Sequence, residues 1–204
     1  MKEVDIKAYA KINLTLDIAG KLPNGYHEIR SVFQAVDIYD YLSISEEKKG
    51  FCFTGSFICK SEDNLVAKSK KALESVVGEE LPCRIHLMKN IPVCAGLGGG
   101  SSDAAAVIIG LDKLYSLKLS LEQLMSIGLK VGSDVPFFIA NHGTALVEGV
   151  GEKIKNISRK VSKFYVLARP HKRLSTAKMY SLFDDTGKGF FEIAQELCPD
   201  LKKL

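Results

Sequence analysis

No stretch of this 204-residue sequence approaches the ~20 consecutive apolar residues that a membrane span requires. The N-terminus, broken by charges every few residues, lacks the apolar core of a secretory signal. Five cysteines (52, 59, 83, 94 and 198) form no C-x-x-C pair, so they outline neither a zinc site nor a disulfide framework. Most stand in apolar company, as buried free thiols of a reducing compartment do. A soluble, cytoplasmic protein with no membrane partner is expected. Neither sign of charge dominates: 28 basic against 24 acidic residues leave +4, too little to define a nucleic-acid binder. Internal repeats and low-complexity tracts are missing. With 46% hydrophobic and 25% charged residues, the chain is neither disordered nor collagen-like. At roughly 150 residues per domain the length corresponds to about 1.4 domains, a complete domain and part of another, with enough chain to bury a core.

What is present is unevenly spread. Acidic residues are absent between Lys153 and Phe183, where nine basic ones fall: Lys153, Lys155, Arg159, Lys160, Lys163, Arg169, Lys172, Arg173 and Lys178. Such a run is either a set of solvated strand edges and loops or a field that draws in an anion. Alternation of apolar and polar residues predicts strands at 4–9 and 12–18, the second with Ile12, Leu14, Leu16 and Ile18 on one face. A turn at Leu22-Pro-Asn-Gly25 follows. Further strands are expected at 28–36, 41–45, 51–53, 84–88, 144–147 and 164–168. Helical spacing covers 64–77, with Asp63 or Asn64 as N-cap and Gly78 closing it. Helices are also expected from Ser102 to Tyr115, from Ser120 with Gln123 in a capping box, at 176–183 and at 190–197. Strands come first and then mix with helices, which points to an α+β fold.

Four glycines, Gly96, Gly98, Gly99 and Gly100, crowd into Pro92-Val-Cys-Ala-Gly-Leu-Gly-Gly-Gly-Ser-Ser-Asp103. A strand feeds this loop and a helix leaves it, a context in which backbone N–H groups converge on an anion. Ser101 and Ser102 add hydroxyl donors or cap the helix. A flexible linker or tight packing turn is the bland alternative. No lysine follows the glycines, which excludes a Walker A loop, and Ser101 stands where the dinucleotide fingerprint needs its third glycine. The H-R-D and D-F-G signatures of protein kinases are missing too. If the anion is a phosphate in transfer, cationic charge must come from elsewhere. Lys11, inside an apolar strand, is a candidate, though lysines also snorkel from strand faces. Asp134, in Gly132-Ser-Asp-Val-Pro136, is either a turn cap or a general base.

These segments, together with Ala10-Lys-Ile-Asn-Leu14, Pro23-Asn-Gly-Tyr-His-Glu28 and Asn64-Leu65, occur in an order that resembles the GHMP small-molecule kinase superfamily. Asn-Gly-Tyr-His and Gly-x-Asp-Val-Pro narrow the resemblance to a branch acting on a cytidyl-diphosphate alcohol in the non-mevalonate isoprenoid route. The resemblance implies a ribosomal-protein-S5-like N-terminal domain (1–155) and a shortened α/β C-terminal domain (156–204). It implies transfer of phosphate from ATP, with Mg2+, to a 2-hydroxyl, by a monomer or homodimer. Lys11 and Asp134 match the catalytic pair. Pro92, Gly96, Leu97, Gly98, Gly99, Gly100, Ser101 and Ser102 match the nucleotide-phosphate loop, and Asn64 and Lys89 match further nucleotide contacts. Asn13, Tyr26, His27 and Tyr180 match substrate contacts, with the base stacked between the two tyrosines. Ser102 and Asp103 are the candidates beside a metal, although Asp103 could equally complement the helix dipole. The family usually exceeds 250 residues and carries a second Gly/Ser-rich segment, so an incomplete C-terminal domain is expected. Its apolar stripe of Phe190, Ala194, Leu197, Leu201 and Leu204 would then be partly exposed or dimer-forming. Remaining alternatives are a nucleotide-binding remnant without turnover, a different GHMP kinase, and an S5-like nucleic-acid binder.

Overall fold

A computed structural model describes residues 2–23, 25–56, 64–140, 143–157, 164–168, 175–199 and 201. In chain order the elements are β1 (Glu3–Lys21), β2 (His27–Glu46), β3 (Phe51–Gly55), α1 (Leu65–Val77), β4 (Cys83–Met88), α2 (Gly99–Tyr115), α3 (Leu121–Val131), α4 (Val135–Ala140), β5 (Thr144–Gly149), β6 (Lys153–Asn156), α5 (Thr176–Thr186) and α6 (Phe190–Leu197). The two opening strands expected from alternation are one strand, β1, and the next two merge into β2. Register irregularities explain the apparent breaks. They fall between Tyr9/Ala10, Asn13/Thr15 and Ile18/Gly20, where extra residues shift the side-chain alternation without ending the strand. Leu14, expected on the face of Ile12, is the extra residue at the second irregularity and is exposed.

β1 runs antiparallel along one edge of β2. On its other edge β2 pairs with β5 over Ile29–Gln34 and with β4 over Tyr41–Glu46, so one strand serves two partners in succession. β3 lies parallel to β4, as a crossover through α1 requires, and β6 extends the sheet beyond β5. The α+β class holds. β6 did not register as a strand in the alternation pattern. Phe137 and Phe138, an apolar run in the sequence, belong to helix α4.

The main core joins α1, α2, α3 and α4 to β1, β2 and β4. α2 is apolar almost all round, as a helix enclosed by others must be. Ile108, Leu111 and Leu114 are buried, each contributing about 1.5–3 kcal/mol. Gly110 permits the close approach of α2 to the sheet: a Cβ there would lie 2.4 Å from Ile44 Cδ1. A smaller core joins Phe137 of α4 to Ile29, Phe33, Ala145 and Val147. Local end signals appear as expected. Asn64 caps α1 and Gly78 closes it at φ 79°, while Ser120 and Gln123 form a capping box at α3. Asp63, the alternative cap, lies outside the described residues.

The chain divides into two compact units, Met1–Val93 with Gly98–Arg159, and Cys94–Leu97 with Lys160–Leu204. In the second unit Phe164–Ala168 is not a strand: it makes no ladder, and Phe164 and Val166 are almost fully exposed. Apolar alternation alone cannot supply the neighbouring strand that a ladder needs. α5 extends three residues beyond Phe183 to Thr186 and is closed by Gly187 at φ 65°. The segment between the two helices, 184–189 by the expected bounds, is therefore only Gly187–Gly189. α5 and α6 meet through Tyr180 and Phe183, both edge-on to Phe190. On the expected apolar stripe Phe190, Ala194, Leu197 and Leu201 are half-buried; Leu204 lies outside the described residues. Cys83 and Cys198 are buried and free, Cys52 is half-buried, and Cys94 is exposed. Among the described residues no helix is long and apolar enough to cross a membrane.

Candidate active site

α2 begins at Gly99, three residues before the expected Ser102. Gly98, at φ 68° and ψ 14°, is the N-cap and brings no side chain to it. Ser102 N–H returns to the Gly98 carbonyl at 2.9 Å. The N–H groups of Gly99, Gly100 and Ser101 precede that first helical bond. A helix start left without a capping side chain, and with no acid in its first turn, is built to receive an anion. Gly98 is needed twice over. Its φ is left-handed, and a Cβ there would lie 2.9 Å from Phe138 Cζ and 3.1 Å from Lys11 Cγ. A Cβ at Gly100 would lie 3.3 Å from Leu65 Cδ1, so the start of α1 abuts the start of α2. Asn64 stands at that point, its Oδ1 accepting the Val66 N–H at 2.9 Å. Within the loop Cys94 and Gly96 also have positive φ, 54° and 73°. Pro92, Leu97, Gly98, Gly99 and Ser101 are half-buried, Gly96 and Gly100 are exposed, and Ser102 and Asp103 are buried.

Lys11 does not snorkel. Its side chain is 7% exposed, and Nζ lies 3.3 Å from Asp134 Oδ2 at the start of α4. Nζ also donates to Asn13 Oδ1 at 2.7 Å and sits 4.4 Å above the Phe33 ring, a favourable place for a cation. The lysine and the aspartate, unrelated by spacing, thus meet beside the open end of α2. Asp134 keeps 30% of its side chain exposed. This arrangement sets a partly accessible carboxylate against a buried cation beside an uncapped helix start.

Lys89, expected at the nucleotide, directs its ammonium inward. It bonds Asp40 Oδ2, and Asp103 Oδ2 at 2.7 Å, with only 9% of its side chain exposed. Asp40 Oδ1 accepts the N–H groups of Asn90 and Ile91 at 2.6 and 2.8 Å. Asp103 Oδ1 is buried without a hydrogen-bond partner. Two acids thus share one base beneath the start of α2. Burial pushes the Asp103 carboxyl up to about 7, the Lys89 charge opposing the rise and the Asp40 charge adding to it. The folded chain holds this proton more tightly than the unfolded one, in which an aspartate titrates near ~3.9. The stability it contributes is full below that value and is lost as pH rises through about 7. Asp103→Asn removes the titration. Melting temperatures are therefore expected to fall more steeply from pH 5 to 8 in the wild type than in the variant; equal slopes would refute the assignment.

The other expected residues stand on other elements. Tyr26 is 58% exposed at the end of the turn, in which Gly25 N–H bonds the Leu22 carbonyl at 2.9 Å, and half-buried His27 opens β2. Tyr180 lies on α5 in the second unit, its ring 4.8 Å from that of Phe190. Of the basic run, Lys153, Lys155 and Lys178 are exposed; Arg159, Lys160, Lys163, Arg169, Lys172 and Arg173 lie outside the described residues. Sequence reasoning missed Asp40 and Phe33. The only signal for Asp40 was an acid in an apolar strand, which exposed Asp37 displays equally. Among the described residues no three His, Cys, Asp or Glu side chains are grouped to hold a metal.

Comparison with known proteins supplies a family. The GHMP kinases N terminal domain matches residues 64–142. A protein of Caldicellulosiruptor bescii named 4-diphosphocytidyl-2-C-methyl-D-erythritol kinase is 41% identical over 186 residues, which cover 88% of this chain and 63% of that one. The chain therefore spans less than two thirds of that relative's length. A kinase of the same name from Clostridium botulinum is 37% identical over 98% of this chain and 72% of its own. A crystal structure of 4-(cytidine 5'-diphospho)-2C-methyl-D-erythritol kinase superposes with a TM-score of 0.75 at 28% identity, covering 98% of this chain and 80% of that one.

Proposed function

The chain belongs to the 4-diphosphocytidyl-2-C-methyl-D-erythritol kinase family of GHMP kinases, and from that premise we propose that it transfers the terminal phosphoryl group of ATP to the 2-hydroxyl of 4-diphosphocytidyl-2-C-methyl-D-erythritol, on the non-mevalonate route to isoprenoids. The observation that carries the reading is the 3.3 Å pair of Lys11 and Asp134 beside the uncapped start of α2. Asp134 takes the hydroxyl proton as the oxygen–phosphorus bond forms and the bond to the leaving ADP breaks. Lys11 faces the charge that gathers on the phosphoryl oxygens. Phosphoryl transfer leaves the protein little covalent work, so positioning and electrostatics carry the acceleration.

In this reading Gly96–Ser102 receive the nucleotide phosphates, with Pro92 shaping the entry to the loop and Asn64 beside it. Lys89 acts from beneath, holding the start of α2. Asn13, Tyr26, His27 and Tyr180 are assigned to the substrate on the family pattern; a cytosine stacked on tyrosine gains about 1–3 kcal/mol. Mg2+ belongs to the proposal as a companion of the nucleotide. Asp103 is already paired with Lys89 and in this reading holds the start of α2, not the metal.

The test is ADP release from Mg-ATP by this chain, with and without the cytidyl substrate. Release that depends on the substrate is the expected result. Turnover only with mevalonate or homoserine would shift the activity within the superfamily. Nucleotide binding with no turnover on any of the three would identify a remnant and end the proposal.

A further inference from the structure

The irregularity in β1 at Asn13/Thr15 does more than turn Leu14 outward. At that point Thr15 Oγ1 accepts the Val32 N–H at 3.0 Å, so a hydroxyl occupies a place in the ladder that a carbonyl would ordinarily take. The Thr15 carbonyl accepts instead from Ser31 Oγ. Ser31 is fully buried, and Asn13 Nδ2 donates to its Oγ at 2.8 Å. Asn13 Oδ1 in turn accepts from Lys11 Nζ.

This chain of bonds has one direction. A serine hydroxyl has a single proton, and that of Ser31 goes to the Thr15 carbonyl, which has none to give. Ser31 Oγ can therefore only accept from Asn13, which requires the asparagine to present Nδ2 to the serine and Oδ1 to the lysine. A flipped amide would set N–H donors against the Lys11 ammonium and leave the serine oxygen facing a carbonyl. We propose that Ser31 is a positioning residue: through Asn13 it orients the Lys11 ammonium. Nζ then donates to Asn13 while lying in the ion pair with Asp134, and donor capacity remains for the phosphoryl group. The inference rests on Lys11 acting in phosphoryl transfer as proposed above. It also gives Asn13 a part that precedes any contact with substrate.

Two readouts on Ser31→Ala and Ser31→Thr test it. The first is kinetic. Ser31→Ala is expected to lower kcat about tenfold with KM for ATP and for the cytidyl substrate held within about twofold, and Ser31→Thr, which keeps the hydroxyl, is expected to restore it. The second needs no turnover: the rate at which Lys11 is acetylated by an amine-reactive ester, followed by mass spectrometry on chains that melt cooperatively. Lys11 is expected to label several times faster in Ser31→Ala and at the wild-type rate in Ser31→Thr. If wild type labels slowly at Lys11 but shows no kinase turnover, the function fails while the labelling contrast still decides the orienting role. An unchanged labelling rate in Ser31→Ala, or a threonine variant as impaired as alanine in both readouts, would overturn the proposal.

Discussion

Asp134→Asn is expected to slow phosphoryl transfer by about 10²–10⁴-fold, the range in which a positioned general base contributes, while ATP still binds. The asparagine keeps the shape of the side chain but cannot take the hydroxyl proton. Lys11→Met is expected to reduce the rate by a similar factor by another route. Methionine fills the space of the lysine stem, which passes within 3.1 Å of where a Cβ on Gly98 would stand, and lacks the charge that meets the transferring group. Removing one preorganised stabiliser of transition-state charge typically costs about 10²–10³ in rate. The two losses should not multiply. Asp134 and Lys11 lie 3.3 Å apart and share one step of the proposed reaction, so the double variant is expected to be little worse than the poorer single one. Single-turnover transfer of labelled phosphate measures the rates, and calorimetric titration with ATP measures binding. Loss of ATP binding in step with activity would place these residues in nucleotide affinity and not in the chemical step.

Asp40→Ala is expected to destabilise the first unit by about 3–5 kcal/mol, as when one member of a buried ion pair is removed. The carboxylate answers three donors: Lys89 Nζ and the N–H groups of Asn90 and Ile91. It stands just before the β2–β4 pairing begins at Tyr41↔Met88. The β2–β4 ladder ends there although β2 continues, and the Asp40 side chain accepts two N–H groups of the chain leaving β4. Alanine would leave two backbone N–H groups unanswered and would leave Lys89 with Asp103 alone. Asp40→Asn keeps an acceptor for both N–H groups, so its loss should be distinctly smaller. Urea unfolding of the three proteins checks the order. Equal losses in both variants would mean that the charge matters and the backbone bonds do not.

Features carried by neighbouring residues were legible in the sequence. Asn64 and Gly78 bound α1 because a cap needs only one side chain or one positive φ, and the Ser120–Gln123 box works within a single turn. The glycine loop was readable as an anion site for the same reason, although its helix starts earlier than the serines suggested, because Gly98 and not Ser102 makes the cap. The strands were harder. Alternation reports which residues share a face, but an irregularity shifts that alternation, and one long β1 was read as two strands. At Phe164–Ala168 the pattern promised a strand that has no ladder, since pairing depends on a partner the local pattern does not contain.

The order of the motifs by itself determined the family and named Lys11 and Asp134 as a candidate pair, each with a structural alternative. Only the tertiary structure brought Lys11 to Asp134 and turned Lys89 away from solvent onto Asp40 and Asp103. Only it joined Ser31 to Lys11 through Asn13. The physical reason is common to all three. A buried charge must find its partner across the fold, and the distance in space between residues on β1, α2 and α4 is set by how helices cover a sheet, which residue spacing along the chain does not encode.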